Sequence, residues 1–387
     1  MGNAKMKIGS GDAPRFDQKN LILRRALWDP AVQDFAMGWY EQRAVGDRPG
    51  YSLKDWALRN AAWHVDRAVA KGNQTGDFGL YKWEVDPNEF AVITRLVPGQ
   101  KYAVTDPAEM SRDVKRAAKF LGADLTGICR LDRRWVYSHA YSHPWDGGTE
   151  HWPIEIPEEY EYAIVMAIEM NYLGMKTSPA TTHLAAGGDG YSKMAFVAGR
   201  LAHFIRILGY KAIPSGNDTA LCIPMAVDAG LGQLGRSGNL ITERFGPRVR
   251  LCKVFTDLPL VPDKPIDFGV TEFCNTCRRC AENCPGRAIS FDEPTDQPHN
   301  ISNNSGILKW PVNAEKCFRF WVQNEGSACS NCVRVCPFNK PPGWLHDSAR
   351  FLVRNAPWLD SLLLRLDKLL GYGKRMKAED FWTSLDS

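Results

Sequence analysis

The sequence predicts an α+β chain in which a mixed core of strands and helices is followed by a short, metal-binding domain. Three observations carry this. Tyr162–Ile168 is an unbroken apolar run of strand length, the pattern of a strand buried on both faces. Met194, Val197, Leu201 and Ile205 recur at helical spacing and mark one buried helix face. Eight of the 11 cysteines fall between residues 274 and 336, where hydrophobic periodicity fades.

Composition narrows the class. The chain has 387 residues, room for two or three domains at roughly 150 residues each. Hydrophobic residues make up 44% and charged residues 24%, which excludes disordered, collagen-like and coiled-coil chains. A formal net charge of +4 is too weak to indicate a nucleic-acid partner. Thirteen tryptophans suggest a cavity or surface with flat apolar walls. Cysteines this unevenly placed point to metal rather than to a disulfide scaffold. No apolar run approaches the ~18 residues that span a bilayer. Arg24-Arg25 is followed at once by Asp29 and Pro30, so it reads as a helix face and not as a twin-arginine export signal. The expectation is a cytoplasmic chain as written, or an exported, membrane-associated one if a leader was removed.

The elements follow in order. Residues 1–20 read as a mobile tail, the start of an N-terminal helical region over 1–104. Within it Ser52-Leu-Lys-Asp55 forms a capping box, opening a helix that carries Trp56, Trp63 and Val69. The core, 105–265, opens at Asp106-Pro107 with a helix bearing Met110, Val114, Ala117 and Leu121, and Gly122 stops it. After the Tyr162–Ile168 strand, Gly187-Gly-Asp-Gly190 reads as a loop feeding a helix from Tyr191 to Leu208. A strand at Lys211–Pro214, a helix near Ala220–Ala229 and a strand at Val249–Thr256 complete the unit. The cysteine domain spans 266–345, with Asp292–Gly306 as a surface insertion. Residues 346–387, including Leu362–Leu370, read as C-terminal helices packing back onto the body.

Cys274-x2-Cys277-x2-Cys280-x3-Cys284-Pro285 has the spacing of bacterial ferredoxins, in which the cysteine before proline turns toward a second cluster. A second half follows as Cys329-x2-Cys332-x3-Cys336-Pro337, with Cys317 twelve residues ahead. Crossing the fourth ligands assigns one [4Fe–4S] cluster to Cys274, Cys277, Cys280 and Cys336. The other takes Cys284, Cys317, Cys329 and Cys332. Zinc prefers separated cysteine pairs, which this run fits poorly. Two such clusters move single electrons, and the residues ahead of them hold whatever receives those electrons.

Weaker signals remain. Gly230-Leu-Gly232-Gln-Leu-Gly235 matches a dinucleotide fingerprint, but it follows an apparent helix rather than a strand. It reads as a tight backbone loop against another cofactor, or as a turn. The eight histidines give no metal pair on one helix face, and none stands in an Asp-x-His-x-x-Gly context. Cys129, Cys222 and Cys252 read as small core residues. Tyr191, Asn217, Arg250 and Lys253 lie at the edges of core elements, where ligands usually bind.

Gly190–Ala195, Gly209–Ala220, Asp228–Gly238 and Gly246–Asp257, together with both cysteine motifs, resemble the corrinoid-dependent reductive dehalogenases over about residues 105–345. The resemblance implies a nitroreductase-like core holding a base-off cobalamin, beside a ferredoxin-like domain with two [4Fe–4S] clusters. It also implies Tyr191 as the catalytic tyrosine, Asn217 and Arg250 as pocket residues, Lys253 as the lysine paired with the tyrosine, and Trp321 as a pocket wall. The implied substrate is a small organohalide. The implied partners are an external low-potential donor (ferredoxin, flavodoxin or quinol-linked) and a membrane anchor protein. Phenols are poor acids unless the phenolate is stabilised, so Arg250 and Lys253 are expected to supply positive charge to Tyr191. Two other readings stand beside this one: a tRNA-modifying epoxyqueuosine reductase, and an electron-transfer protein with no third cofactor.

Overall fold

A computed structural model of the chain describes residues 13–70, 79–86, 95–97, 99–142 and 150–384. Four strands form the central sheet: β1 (Leu125–Arg130), β4 (Tyr162–Glu169), β5 (Ala212–Ser215) and β8 (Val249–Thr256), in the order β1-β4-β8-β5 with every pair antiparallel. Their apolar runs are explained by cover on both faces. Even-numbered residues of β8, Cys252 and Val254, join one core cluster with Met194, Val197, Leu201 and Ile205. The odd-numbered Val249, Leu251 and Phe255 join another, with Met225 and Val227. Strand alternation therefore sends neighbouring β8 side chains to different cores. Cys129, Cys222 and Cys252 are buried, as the sequence implied.

The longer helices, in chain order, are α1 (Pro30–Tyr40), α2 (Leu53–His64), α3 (Pro107–Phe120), α4 (Thr181–Ile207), α5 (Cys222–Asp228), α6 (Val270–Cys277), α7 (Ala314–Gln323), α8 (Trp344–Asn355) and α9 (Asp360–Leu369). Ser52 and Asp55 form the expected capping box at α2. Asp106 caps α3, and Gly122 beyond it takes φ +112. Two short hairpins flank the core: β2 (His139–Tyr141) with β3 (His151–Pro153), and β6 (Gln233–Leu234) with β7 (Leu240–Ile241). The C-terminal segment does return to the body, burying Ala378 and Phe381 and donating the Trp382 indole N–H to Asp55 at 3.0 Å. Among the described residues no helix is long and apolar enough to cross a membrane.

Two expectations are corrected. Gly187–Gly190 is not a loop; it lies inside α4, which begins ten residues before Tyr191, at Thr181. A glycine costs about 1 kcal/mol in a helix interior, and here tertiary packing offsets it. A Cβ on Gly188 would sit 2.3 Å from Trp63 Cδ1, and one on Gly190 would sit 2.9 Å from Arg250 Cγ. The glycines are a flat shelf for large side chains. Of the segment 1–20 read as a mobile tail, 1–12 lie outside the described residues, and 13–20 are packed. Ala13 and Phe16 are buried, Arg15 donates to the Tyr137 carbonyl at 2.8 Å, and buried Gln18 donates to the Asp218 carbonyl.

Candidate active site and cluster centres

Tyr191 sits on α4 just past the glycine shelf. Trp63 of α2 stacks on its ring, with centroids 4.7 Å apart and planes at 27°. The Trp63 indole N–H donates to the Leu184 carbonyl at 3.1 Å, which pins the stack to α4. Arg250 reaches over from β8 and holds its guanidinium carbon 4.6 Å from the Tyr191 ring centroid. Asn217, in the loop after β5, donates its side-chain N–H to the Tyr191 hydroxyl at 2.8 Å. A phenol has one proton to give and two lone pairs. Asn217 occupies a lone pair, so the tyrosine O–H stays free to donate elsewhere.

Arg250 forms no ion pair among the described residues, and its Nε is buried with no hydrogen-bond partner. An orphaned buried donor costs about 1–3 kcal/mol, so this guanidinium is poised for an acceptor that the described residues do not provide. His183, two turns before Tyr191 on α4, is also fully buried. Its Nδ1 bonds the Ala180 carbonyl and its Nε2 has no partner. Burial holds His183 neutral and lowers its pKa to about 4, and the charge of Arg250 pushes the same way.

Lys253 is not a partner of the Tyr191 ring, which corrects the expectation. It stands three residues after Arg250 on β8, and odd spacing in a strand sends it to the opposite face. There its ammonium is fully buried and donates to the carbonyls of Gly216 and Ala220 and to Cys222 Sγ. Gly216 immediately precedes Asn217, so Lys253 braces from behind the loop that bonds the tyrosine.

The eight cysteines gather as two groups. Cys274, Cys277 and Cys280 surround Cys336, despite the sequence distance between them. Cys317 lies among Cys284, Cys329 and Cys332. Burial pushes the thiols of Cys274 and Cys329 up to about 11, and those of Cys277 and Cys332 up to about 12. Such thiols become thiolates only when a cation replaces the proton, so the donor set fits iron. Trp321 is one helical turn past Cys317 on α7, and its buried indole lies against the Cys317 thiol. One cavity is bordered by Arg250, Ser237, Asn239, Trp321 and the second cysteine group. It is therefore continuous from the tyrosine's cation to a cluster site, and the Arg250 Nε beside it is buried without a partner. That fits a polar cofactor seated between them.

The three fingerprint glycines answer to the protein's own packing. A Cβ at Gly230 would lie 2.5 Å from the Lys264 carbonyl oxygen, at Gly232 2.2 Å from that of Ile241, and at Gly235 2.8 Å from Ile241 Cγ1. Gly230 also takes φ +72. Gly235 nonetheless borders the first cysteine group. Two residues of the site escaped sequence reasoning. Trp63 was legible only as an aromatic on a capped helix, and His183 lay upstream of the supposed loop. The spacing of Gly187, Gly188 and Gly190 was the available signal, because small residues in a helix leave room for large neighbours.

Residues 273–340 match the 4Fe-4S dicluster domain. Tetrachloroethene reductive dehalogenase of Sulfurospirillum multivorans is 44% identical over 379 residues, covering 92% of this chain and 75% of that protein. The solved structure of the catabolic reductive dehalogenase NpRdhA, in complex with 3-bromo-4-hydroxybenzoic acid, superposes with a TM-score of 0.70 at 25% identity. It covers 97% of this chain and 48% of its own, so the present chain spans about half the length of that structure. Epoxyqueuosine reductase of Aliivibrio fischeri is a more distant relative, 26% identical over 263 residues, covering 60% of this chain and 67% of that protein. The chain belongs to the reductive dehalogenase family. It is an oxidoreductase with two [4Fe–4S] sites.

Proposed function

We propose that the chain reductively removes halide from a small chlorinated alkene, with cobalamin as cofactor and Tyr191 as the proton donor. The balance is one organohalide, two electrons and one proton in, and one product with hydrogen in place of one halogen and one halide out. The observation that carries this reading is the tyrosine's surroundings: its hydroxyl accepts from Asn217 and keeps its own proton available, beside a guanidinium that forms no ion pair among the described residues. When bound, the corrinoid supplies the reducing metal for the carbon–halogen bond, and the clusters on the two cysteine groups supply single electrons from an external low-potential donor.

The remaining work belongs to the chain. As Tyr191 gives up its proton, Asn217 keeps a hydrogen bond on the oxygen that becomes negative, and Arg250 stabilises the phenolate electrostatically. Lys253 holds the Asn217 loop in register. Trp321 gives the cavity a flat aromatic wall that suits a planar chloroalkene, and Trp63 holds the Tyr191 ring by stacking, in keeping with the tetrachloroethene enzyme at 44% identity. The cluster wiring we propose is the crossed one, with Cys336 serving Cys274, Cys277 and Cys280, and Cys284 serving Cys317, Cys329 and Cys332.

The test is anaerobic turnover of tetrachloroethene by the cofactor-loaded protein with a reduced viologen donor. Chloride release with a less chlorinated alkene in equal amount is the expected result. A loaded, reducible protein that releases no chloride from this substrate, yet debrominates a bromophenol, would move the assignment to aryl halides.

A further inference from the structure

The histidines gave no metal pair by helix spacing, but the β2–β3 hairpin brings two together. Tyr141 pairs with His151, and His139 lies two residues along the same face of β2. The two imidazole centroids stand 4.7 Å apart. Asp17, from the N-terminal segment, lies over them, with both carboxylate oxygens 3.0–3.1 Å from His151 Nε2. One donor atom from each of the three residues lies within 4.8 Å of the others.

We propose that Asp17, His139 and His151 form a divalent-metal site, filled by zinc, that ties the N-terminal segment to the hairpin. Zinc takes nitrogen and carboxylate ligands at about 2.0–2.2 Å, so ligand atoms in a tetrahedral shell stand about 3.3 Å apart. The Asp17–His151 edge is already near that length. The His139 donor must close by at most about 1.5 Å, which a side-chain rotation provides. The supporting bonds are those of a held site. Asp17 Oδ1 accepts from the Lys19 N–H at 2.8 Å, and Ser138 Oγ lies 3.2 Å from His139 Nδ1, which leaves the other ring nitrogen as the ligand. Three protein ligands leave a fourth position for water. Without a cation a single carboxylate faces two imidazoles and bonds only one of them.

The tie has a second end. Gln18, next to Asp17, donates to the Asp218 carbonyl, and Asp218 adjoins Asn217. A cation here therefore braces the segment that backs the Asn217 loop, although it touches no reacting group.

The experiment uses the full-length, cluster-loaded protein, dialysed against zinc and then against metal-free buffer. Elemental analysis should find about one zinc per chain, and zinc-edge X-ray absorption should show only nitrogen and oxygen at about 2.0–2.2 Å. His139→Ala and Asp17→Asn should each lower bound zinc at least tenfold while iron content stays unchanged. Hydrogen exchange over residues 13–20 should quicken when zinc is stripped. The proposal fails if bound zinc stays below a tenth of an equivalent, or if sulfur at about 2.3 Å places it on the cluster cysteines. It also fails if both variants retain full zinc, and because both side chains are partly exposed, at least one variant should fold. A gain of iron at this site in place of zinc would equally overturn the choice of metal.

Discussion

The side-chain amide of Asn217 donates to the hydroxyl of Tyr191 across 2.8 Å, joining the loop after β5 to the middle of α4. Because the amide fills a lone pair, the phenolic proton stays free for another acceptor. A positioned proton donor contributes about 10²–10⁴-fold, so Tyr191→Phe should lower the dehalogenation rate by that order with cobalt and iron contents unchanged. Single-turnover chloride release measures it, and a fully loaded Tyr191→Phe protein with near-normal release would remove the tyrosine from the reaction.

Arg250 acts on the same oxygen through charge. Arg250→Leu should cost about as much as Tyr191→Phe, and the double variant should be little worse than either, because groups acting as a unit are not additive. Arg250→Lys keeps the charge and should recover part of the rate. Additive losses in the double variant would show that the two residues act separately.

Gly188 offers a test of the shelf in α4. Glycine to alanine inside a helix ordinarily stabilises by about 0.5–1 kcal/mol. Here the new methyl meets the pinned Trp63 ring at 2.3 Å, so Gly188→Ala should instead destabilise by about 1–3 kcal/mol and displace the tryptophan from Tyr191. Thermal melting and tryptophan fluorescence read the two effects, and a raised melting temperature would contradict the packing.

Crossed wiring makes Cys336 a ligand of the group that begins at Cys274. Cys336→Ala should perturb the paramagnetic signal of that cluster and spare the other, and iron should fall below the eight atoms expected of two cubanes. Damage confined to the Cys329 and Cys332 cluster would reverse the assignment.

His183 predicts an acid limit. Its folded pKa, about 4, is depressed below the ordinary 6.5 by burial, so between those values the unfolded chain binds the extra proton. Stability from this group is full above pH 6.5 and is lost as pH falls toward 4, on the order of 3 kcal/mol in all. Anaerobic urea denaturation at neutral pH and near pH 5 should show a smaller acid loss in His183→Gln than in the parent chain. Parallel losses would mean that His183 is protonated in the fold.

The cysteine spacing alone carried the iron–sulfur centres, because consecutive ligands on a short loop must bring their thiols to one side whatever surrounds them. Local rules likewise settled the Asp106 and Ser52 caps and the β4 and β8 strands, whose apolar runs have no other stable use. The active site was only half legible. Tyr191, Asn217 and Arg250 could be nominated through the family resemblance, but the glycines before Tyr191 read as a loop, since intrinsic propensity disfavours them in a helix. Trp63 and Arg250, distant in sequence, reverse that preference by filling the space a Cβ would occupy. Lys253 shows the same limit from the other side. The resemblance placed it beside the tyrosine, while the pleat of β8 turned it to the far core, where it grips Gly216 and Ala220. Residue types and spacings thus determined which chemistry the chain carries. Close packing between segments far apart in the chain decided which side chains face the reacting oxygen, because that depends on contacts no local pattern encodes.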